Sequence, residues 1–164
     1  MQNDTEKKDI FDKIMSARLF KPFEGVYKAH KEVLLYLFFG VLTTAVSFVT
    51  AGIAKAALES AALSKDTVAN VSTVIAWVCS VTFAYITNRI WVFESQAEGA
   101  KGIIAEGASF YGGRIFTLLV ETFMMWAGYS KLNFNYWLTK IAANVVVVVL
   151  NYIISKLLVF RKQG

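Results

Sequence analysis

The side chains of this chain best suited to chemistry are a few charges and amides set among apolar residues. Arg114 and Glu121 interrupt the otherwise uncharged run Phe110 to Tyr129. A carboxylate at the centre of a membrane helix costs about 2.5–3.5 kcal/mol on insertion scales, so it faces a partner or a polar path. The two lie seven residues apart, which is two helical turns along one face and about 10 Å of rise. Glu121 could accept hydrogen bonds from sugar hydroxyls, carry a coupling proton, or pair structurally with a basic residue or an amide. Arg114 has company in Arg89 and Lys156, each at the end of an apolar run. An arginine forks onto phosphate oxygens and a lysine adds a point charge, so these three are the candidate phosphate ligands. The plainer reading is that they snorkel to the membrane surface.

Amides and phenols form a second set. Asn144 and Asn151 are also seven apart, and Asn88 closes another apolar run beside Tyr85. With Tyr152 and Lys140 these residues and Glu121 could line a polar groove. Asparagines also serve as glue between membrane helices, for about 0.6 kcal/mol each, and Lys140 and Lys55 also read as interfacial anchors. No glycine-rich phosphate loop, metal-ligand spacing or nucleophile constellation is present. The expectation is therefore no catalytic residue, no metal, no cofactor and no enzyme activity. Cys79 is alone and reads as a small buried residue, and His30, among Lys28, Lys31 and Glu32, as solvated.

Helices must position these groups. Val33 to Ala54 and Thr67 to Asn88 are each free of charge over 22 residues, against about 20 needed to cross the hydrocarbon core. The chain is 56% hydrophobic, with mean hydropathy +0.49. Hydrocarbon cannot hydrogen-bond open backbone, so even the β-branched run Val145 to Val149 belongs to a helix. The expected fold is all-α and integral to the membrane, with four transmembrane helices over roughly 33–57, 67–89, 110–130 and 136–159. Residues 32–164 form that membrane domain. Residues 1–31 form an interfacial N-terminal segment, with Phe11, Met15 and Leu19 at the spacing of an amphipathic surface helix. Gly40, Thr43, Thr44, Ser47 and Gly52 in the first span, and Gly112 and Gly113 in the third, read as close-packing positions. Glu121 stands as the only carboxylate within a span.

Charge sets the orientation. Of 17 Lys and Arg, only Lys55, Lys65, Lys131 and Lys140 fall on the side of the first and third connections. The positive-inside rule places the N and C termini in the cytoplasm. The net charge of +5 is explained by anionic lipid and needs no nucleic acid. Trp91 and Phe93 on one side, and Tyr129, Tyr136 and Trp137 on the other, suit the headgroup level.

The chain repeats itself. Tyr85-x-x-x-Arg89-x-x-Val92-Phe93 returns 67 residues later as Tyr152-x-x-x-Lys156-x-x-Val159-Phe160. Each half is one helical hairpin, so the halves insert the same way up, as a parallel repeat about the membrane normal.

These residues carry a resemblance. The chain resembles the GtrA-like family of small four-helix membrane proteins over roughly Lys31 to Lys162. The resemblance rests on Tyr36 to Gly40 and Phe110 to Arg114 opening the odd spans. It rests also on Asn88-Arg89-x-Trp91-Val92-Phe93 and Asn151-Tyr152-x-x-x-Lys156-x-x-Val159-Phe160 closing the even ones. It implies translocation of a polyprenyl-phosphate-linked sugar, or of polyprenyl phosphate, across the bacterial cytoplasmic membrane, for glycosylation of teichoic acid or another envelope polysaccharide. Partners on this reading are the lipid bilayer and the polyprenyl phosphate or its sugar conjugate, with a membrane glycosyltransferase as the partner of an anchoring role; four helices enclose little volume, so a homodimer with the groove at its interface is a further expectation. Two other functions stay open: a non-transporting subunit that anchors or stabilises a glycosyltransferase, and a small proton-coupled exporter built on Glu121.

Overall fold

A computed structural model describes residues 24–160. The expected amphipathic segment around Phe11, Met15 and Leu19 lies outside those residues. Four long helices follow one another: α1 (Glu24–Ser60), α2 (Lys65–Thr87), α3 (Gly99–Met125) and α4 (Tyr136–Ile154). No strand occurs among the described residues. With their terminal turns, all four are long and apolar enough to cross a membrane, over Tyr27–Ser60, Lys65–Val92, Gly99–Lys131 and Tyr136–Val159.

Local sequence explains the ends. Ser64 caps α2 by accepting from the backbone N–H of Thr67 at 3.3 Å. Asn135 caps α4, its Oδ1 accepting from the N–H groups of Trp137 and Leu138 at 2.9 and 3.1 Å. Such caps supply acceptors that the first helical turn lacks. A kink at His30, with φ −129° and ψ 25°, separates the charged start of α1 from its apolar length. His30 is exposed, as expected. α3 starts eleven residues earlier than the hydropathy suggested, because the polar stretch from Gly99 continues the same helix.

Each even helix closes in a widened π-helical turn, Asn88–Val92 after α2 and Ser155–Val159 after α4. Phe93 N–H reaches Asn88 C=O at 2.9 Å, and Phe160 N–H reaches Ser155 C=O at 2.8 Å. The extra residue per turn rotates both Val-Phe pairs inward, and Val92, Phe93, Val159 and Phe160 are all buried. Phe93 is thus a core residue rather than an interfacial one. Trp91, half-buried, stacks on Phe39.

α1 packs along α2, and α3 along α4, which makes the two expected hairpins. They meet in an aromatic core at the end where the two repeated motifs close. Phe93 and Phe160 stack there at 5.0 Å between centroids, joined by Tyr36, Tyr85, Phe110 and Tyr152. Away from that core the outward faces are apolar. Val41, Phe48 and Leu158 are each more than 70% exposed, which suits lipid and would be costly in water. Cys79, expected to be buried, is on this outer surface.

Membrane helices gain little from the hydrophobic effect on association and depend on close packing. The glycines that serve it are fewer than the sequence suggested. A Cβ on Gly40, Gly52 or Gly112 would meet nothing within 4 Å. On Gly113 it would lie 2.8 Å from Cγ2 of Ile154, and on Gly128 2.7 Å from Cγ2 of Thr139. Both neighbours are β-branched and stiff, so they cannot swing aside. These two glycines set how near α3 comes to α4.

Overpacking of this kind costs about 1–3 kcal/mol. Gly113→Ala and Gly128→Ala are each expected to lower the unfolding midpoint of the purified protein in detergent, whereas Gly112→Ala leaves it unchanged. Equal midpoints for all three would refute this packing assignment.

Candidate functional site

The polar side chains fall into three groups along the bundle, and the repeat organises the first. Tyr85 and Arg89 sit one turn apart on α2 and its closing turn, and both bond Glu106 of α3. The Tyr85 hydroxyl donates to Glu106 Oε1 at 2.9 Å, and Arg89 forms a salt bridge to the same oxygen. Tyr152 and Lys156, the equivalent pair, bond Glu32 of α1, Tyr152 donating at 2.7 Å and Lys156 reaching it at 3.0 Å. Each clamp therefore crosses from one hairpin to the other. Glu32 and Glu106 are themselves equivalent, each preceding by four residues a buried aromatic, Tyr36 or Phe110. Each clamp borders an open cavity, of about 520 Å³ beside Glu32 and Lys156 and about 550 Å³ beside Glu106.

Both glutamates lie on the long helices that carry the first and third spans, just before their apolar runs. Hydropathy missed Glu106 because α3 extends further back than its apolar run. The second copy of the motif could have exposed the pair, since Glu32-x-x-x-Tyr36 and Glu106-x-x-x-Phe110 recur at the openings of both odd helices.

The clamps differ in exposure. The side chains of Arg89 and Glu106 are 19% and 5% exposed, and those of Lys156 and Glu32 are 47% and 33%. Ser95 also donates to Glu106 through its hydroxyl, and Arg89 donates to the Ala97 carbonyl at 2.7 Å. The first clamp is buried and fully bonded, while the second is open to the surface.

The second group is Glu121 with Lys140. The two form a salt bridge within the α3–α4 hairpin. Glu121 therefore meets Lys140 rather than Arg114. Asn144, expected in the groove, is exposed on the outer surface of α4. Asn151 is buried, and its Oδ1 accepts from the Thr117 hydroxyl at 3.0 Å, tying α3 to α4.

The third group is a cavity of about 360 Å³ between the hairpins, lined by residues of all four spans. Tyr36, Gly40, Thr43 and Thr44 come from α1, Asn88 from the end of α2, Arg114 from α3, and Asn151 with Val147 and Val148 from α4. Arg114 is half-buried. Its guanidinium lies 5.0 Å from the ring centroid of Phe110 and within reach of the Tyr36 hydroxyl. It has no carboxylate partner among the described residues, whereas Arg89, Lys140 and Lys156 each have one. A cation held against apolar walls without a counter-charge attracts an anion strongly, because the low dielectric that makes it costly also strengthens the attraction. Asn88 and Asn151 thus join Arg114. The structure separates these three from Arg89 and Lys156, which face glutamates, and from Lys140, Glu121 and Asn144.

No cluster of three His, Cys, Asp or Glu occurs among the described residues.

Comparison with known proteins follows these features. The family described as "GtrA/DPMS, transmembrane domain" matches residues 35–160. The chain is 38% identical over 129 residues to the cell wall teichoic acid glycosylation protein GtcA of Listeria monocytogenes serovar 1/2a. That match covers 79% of this chain and 84% of the relative. It is 37% identical over 128 residues to the membrane protein YwcD of Bacillus subtilis (strain 168), covering 78% of this chain and 95% of that one. No solved structure matches the chain.

The clamps yield a prediction about stability. Removing one partner of a buried ion pair costs about 3–5 kcal/mol, and an exposed pair contributes about 0–1 kcal/mol. Glu106→Ala is expected to destabilise the purified protein severely, and Glu32→Ala only slightly. Measured unfolding in detergent with the two losses alike, or reversed, would contradict the assigned difference in burial.

Proposed function

The chain belongs to the GtrA/DPMS transmembrane-domain family, and on that premise we propose that it translocates a polyprenyl-phosphate-linked sugar, or polyprenyl phosphate itself, across the cytoplasmic membrane. The product serves glycosylation of an envelope polymer, and the relatives named for cell wall teichoic acid glycosylation support teichoic acid as that polymer. The observation that carries the proposal is Arg114, a cation without a carboxylate partner among the described residues, in a cavity bounded by apolar and small polar residues.

The chemistry of such a lipid fits that cavity. Its isoprenoid tail stays in hydrocarbon, its phosphate needs a cation, and its sugar needs hydrogen-bonding groups along the crossing. Arg114 forks onto the phosphate, and Asn88, Asn151, Tyr36, Thr43 and Thr44 offer hydrogen bonds beside it. The positive-inside bias of the sequence supports a cytoplasmic location for the clamp end and the cavity near it. Arg89 and Lys156 hold the hairpins together through their glutamates, and they meet phosphate only when those clamps open. The chain acts in this reading without making or breaking a covalent bond.

The test is reconstitution of the pure protein into liposomes with a labelled polyprenyl-phosphate sugar. Hydrogen bonds to a charged group contribute about 1.5–3 kcal/mol, so Arg114→Gln is expected to slow flipping about ten- to a hundredfold at unchanged protein abundance. Flipping that the wild-type protein does not accelerate would overturn the transport reading and favour a subunit that anchors a glycosyltransferase. Equal losses of flipping and abundance would assign Arg114 to folding instead.

A further inference from the structure

Asn88 carries a polar atom for which the fold supplies no partner. The residue is 3% exposed, and its Oδ1 accepts no hydrogen bond. The orientation of the amide is not arbitrary. Nδ2 donates to the Ala84 carbonyl at 2.7 Å, and turning the amide over would set two acceptors against each other. Oδ1 is therefore the free atom, and leaving it unpaired costs about 1–3 kcal/mol. Buried polar groups are nearly always satisfied, so an orphan needs a reason.

Its location supplies one. Asn88 lines the Arg114 cavity, and it does so at the first residue of the π-helical turn that closes the second span. Widened turns of this kind recur at functional sites. The other amide of the cavity, Asn151, is already engaged through Oδ1 by Thr117. The cavity thus holds a cation that wants an anion, and Asn88 in its wall holds a buried acceptor that wants a donor.

Resting on the phosphate-binding reading above, we propose that Asn88 is a specificity-determining residue of this site, its Oδ1 accepting a hydrogen bond from an O–H next to the ligand's phosphorus. The ligand class is a lipid phosphate that brings its own donor. Two sources share that chemistry. A prenyl-phosphoryl sugar offers a ring hydroxyl beside its phosphodiester. A prenyl monophosphate offers P–O–H, which about half the molecules keep near pH 6. A simple dialkyl phosphate has the charge and lacks the donor. The cavity, at about 360 Å³, lies at the small end of ligand pockets, which suits a single head group rather than an oligosaccharide.

The experiment measures binding to the full chain in lipid nanodiscs at pH 6. The probes are a short prenyl-phosphoryl hexose, the matching prenyl monophosphate, and the methyl diester of that monophosphate. The donor-bearing probes are expected to bind wild-type protein about tenfold more tightly than the methyl diester. Both diesters are monoanions, so tighter binding of the hexose than of the methyl diester supports the proposal, whereas preference for the monophosphate alone follows its extra charge at pH 6 and overturns it. In Asn88→Leu the preference disappears. Should that variant not fold, the wild-type comparison decides by itself. A methyl diester that binds as tightly as both others overturns the role of Asn88 while leaving phosphate binding intact. Binding of all three probes undiminished in Arg114→Gln overturns the underlying phosphate site instead.

Discussion

Hydrocarbon offers no hydrogen bond to a polar group, and the arrangement of this protein follows from that constraint. It makes the spans helical, and it requires each charge within them to find a partner in the chain. Arg89 finds Glu106, Lys156 finds Glu32, and Lys140 finds Glu121. Asn151 finds Thr117. With that many groups answered, the two that the fold leaves open in one cavity, the Arg114 charge and the Asn88 carbonyl, stand out on physical grounds.

The clamps do more than neutralise charge. Each joins an odd helix of one hairpin to an even helix of the other, so the hairpins are held at one end by reciprocal polar bonds around the Phe93–Phe160 stack. Gly113, one turn from the core residue Phe110, and Gly128, near the other end, hold the third span near α4 within a hairpin rather than between hairpins. Cohesion between the halves is thus concentrated where the aromatic core lies, close to the Arg114 cavity. A bundle joined in this way separates most readily by opening its clamps, and the clamp at Lys156 is the more exposed of the two. Two near-equal halves with unequal clamps give the molecule a built-in asymmetry about its repeat axis.

The site was legible in the sequence by residue type and illegible by partnership. Arg114, Asn88 and Asn151 stood out as polar groups in apolar runs. Nothing in their spacing said that Arg89 and Lys156 would be answered by Glu106 and Glu32, because those glutamates lie 17 and 124 residues away along the chain. Helical periodicity linked Arg114 to Glu121 along one face, yet the acid turned to Lys140 on the neighbouring helix. Asn144 shared a stripe with Asn151, but the faces of α4 diverge enough to leave one outside and one buried. Small residues marked possible contacts in α1, and only packing showed that a Cβ on Gly40 or Gly52 would meet no neighbour.

Apolar length, unbroken in two runs and sparsely charged in the other two, determined by itself that the chain crosses a membrane four times, because a bilayer tests little beyond length and charge. The recurrence of Tyr-x-x-x-basic-x-x-Val-Phe determined that the crossings come as two like hairpins, since similar sequence in the same solvent adopts similar structure. Which charges cancel was decided only by the tertiary structure. Ion pairing depends on where side chains from different helices meet, and that follows from crossing geometry, the widened closing turns and two glycines. The same geometry left the Arg114 charge without a carboxylate and the Asn88 Oδ1 without a donor among the described residues, in a cavity to which all four spans contribute.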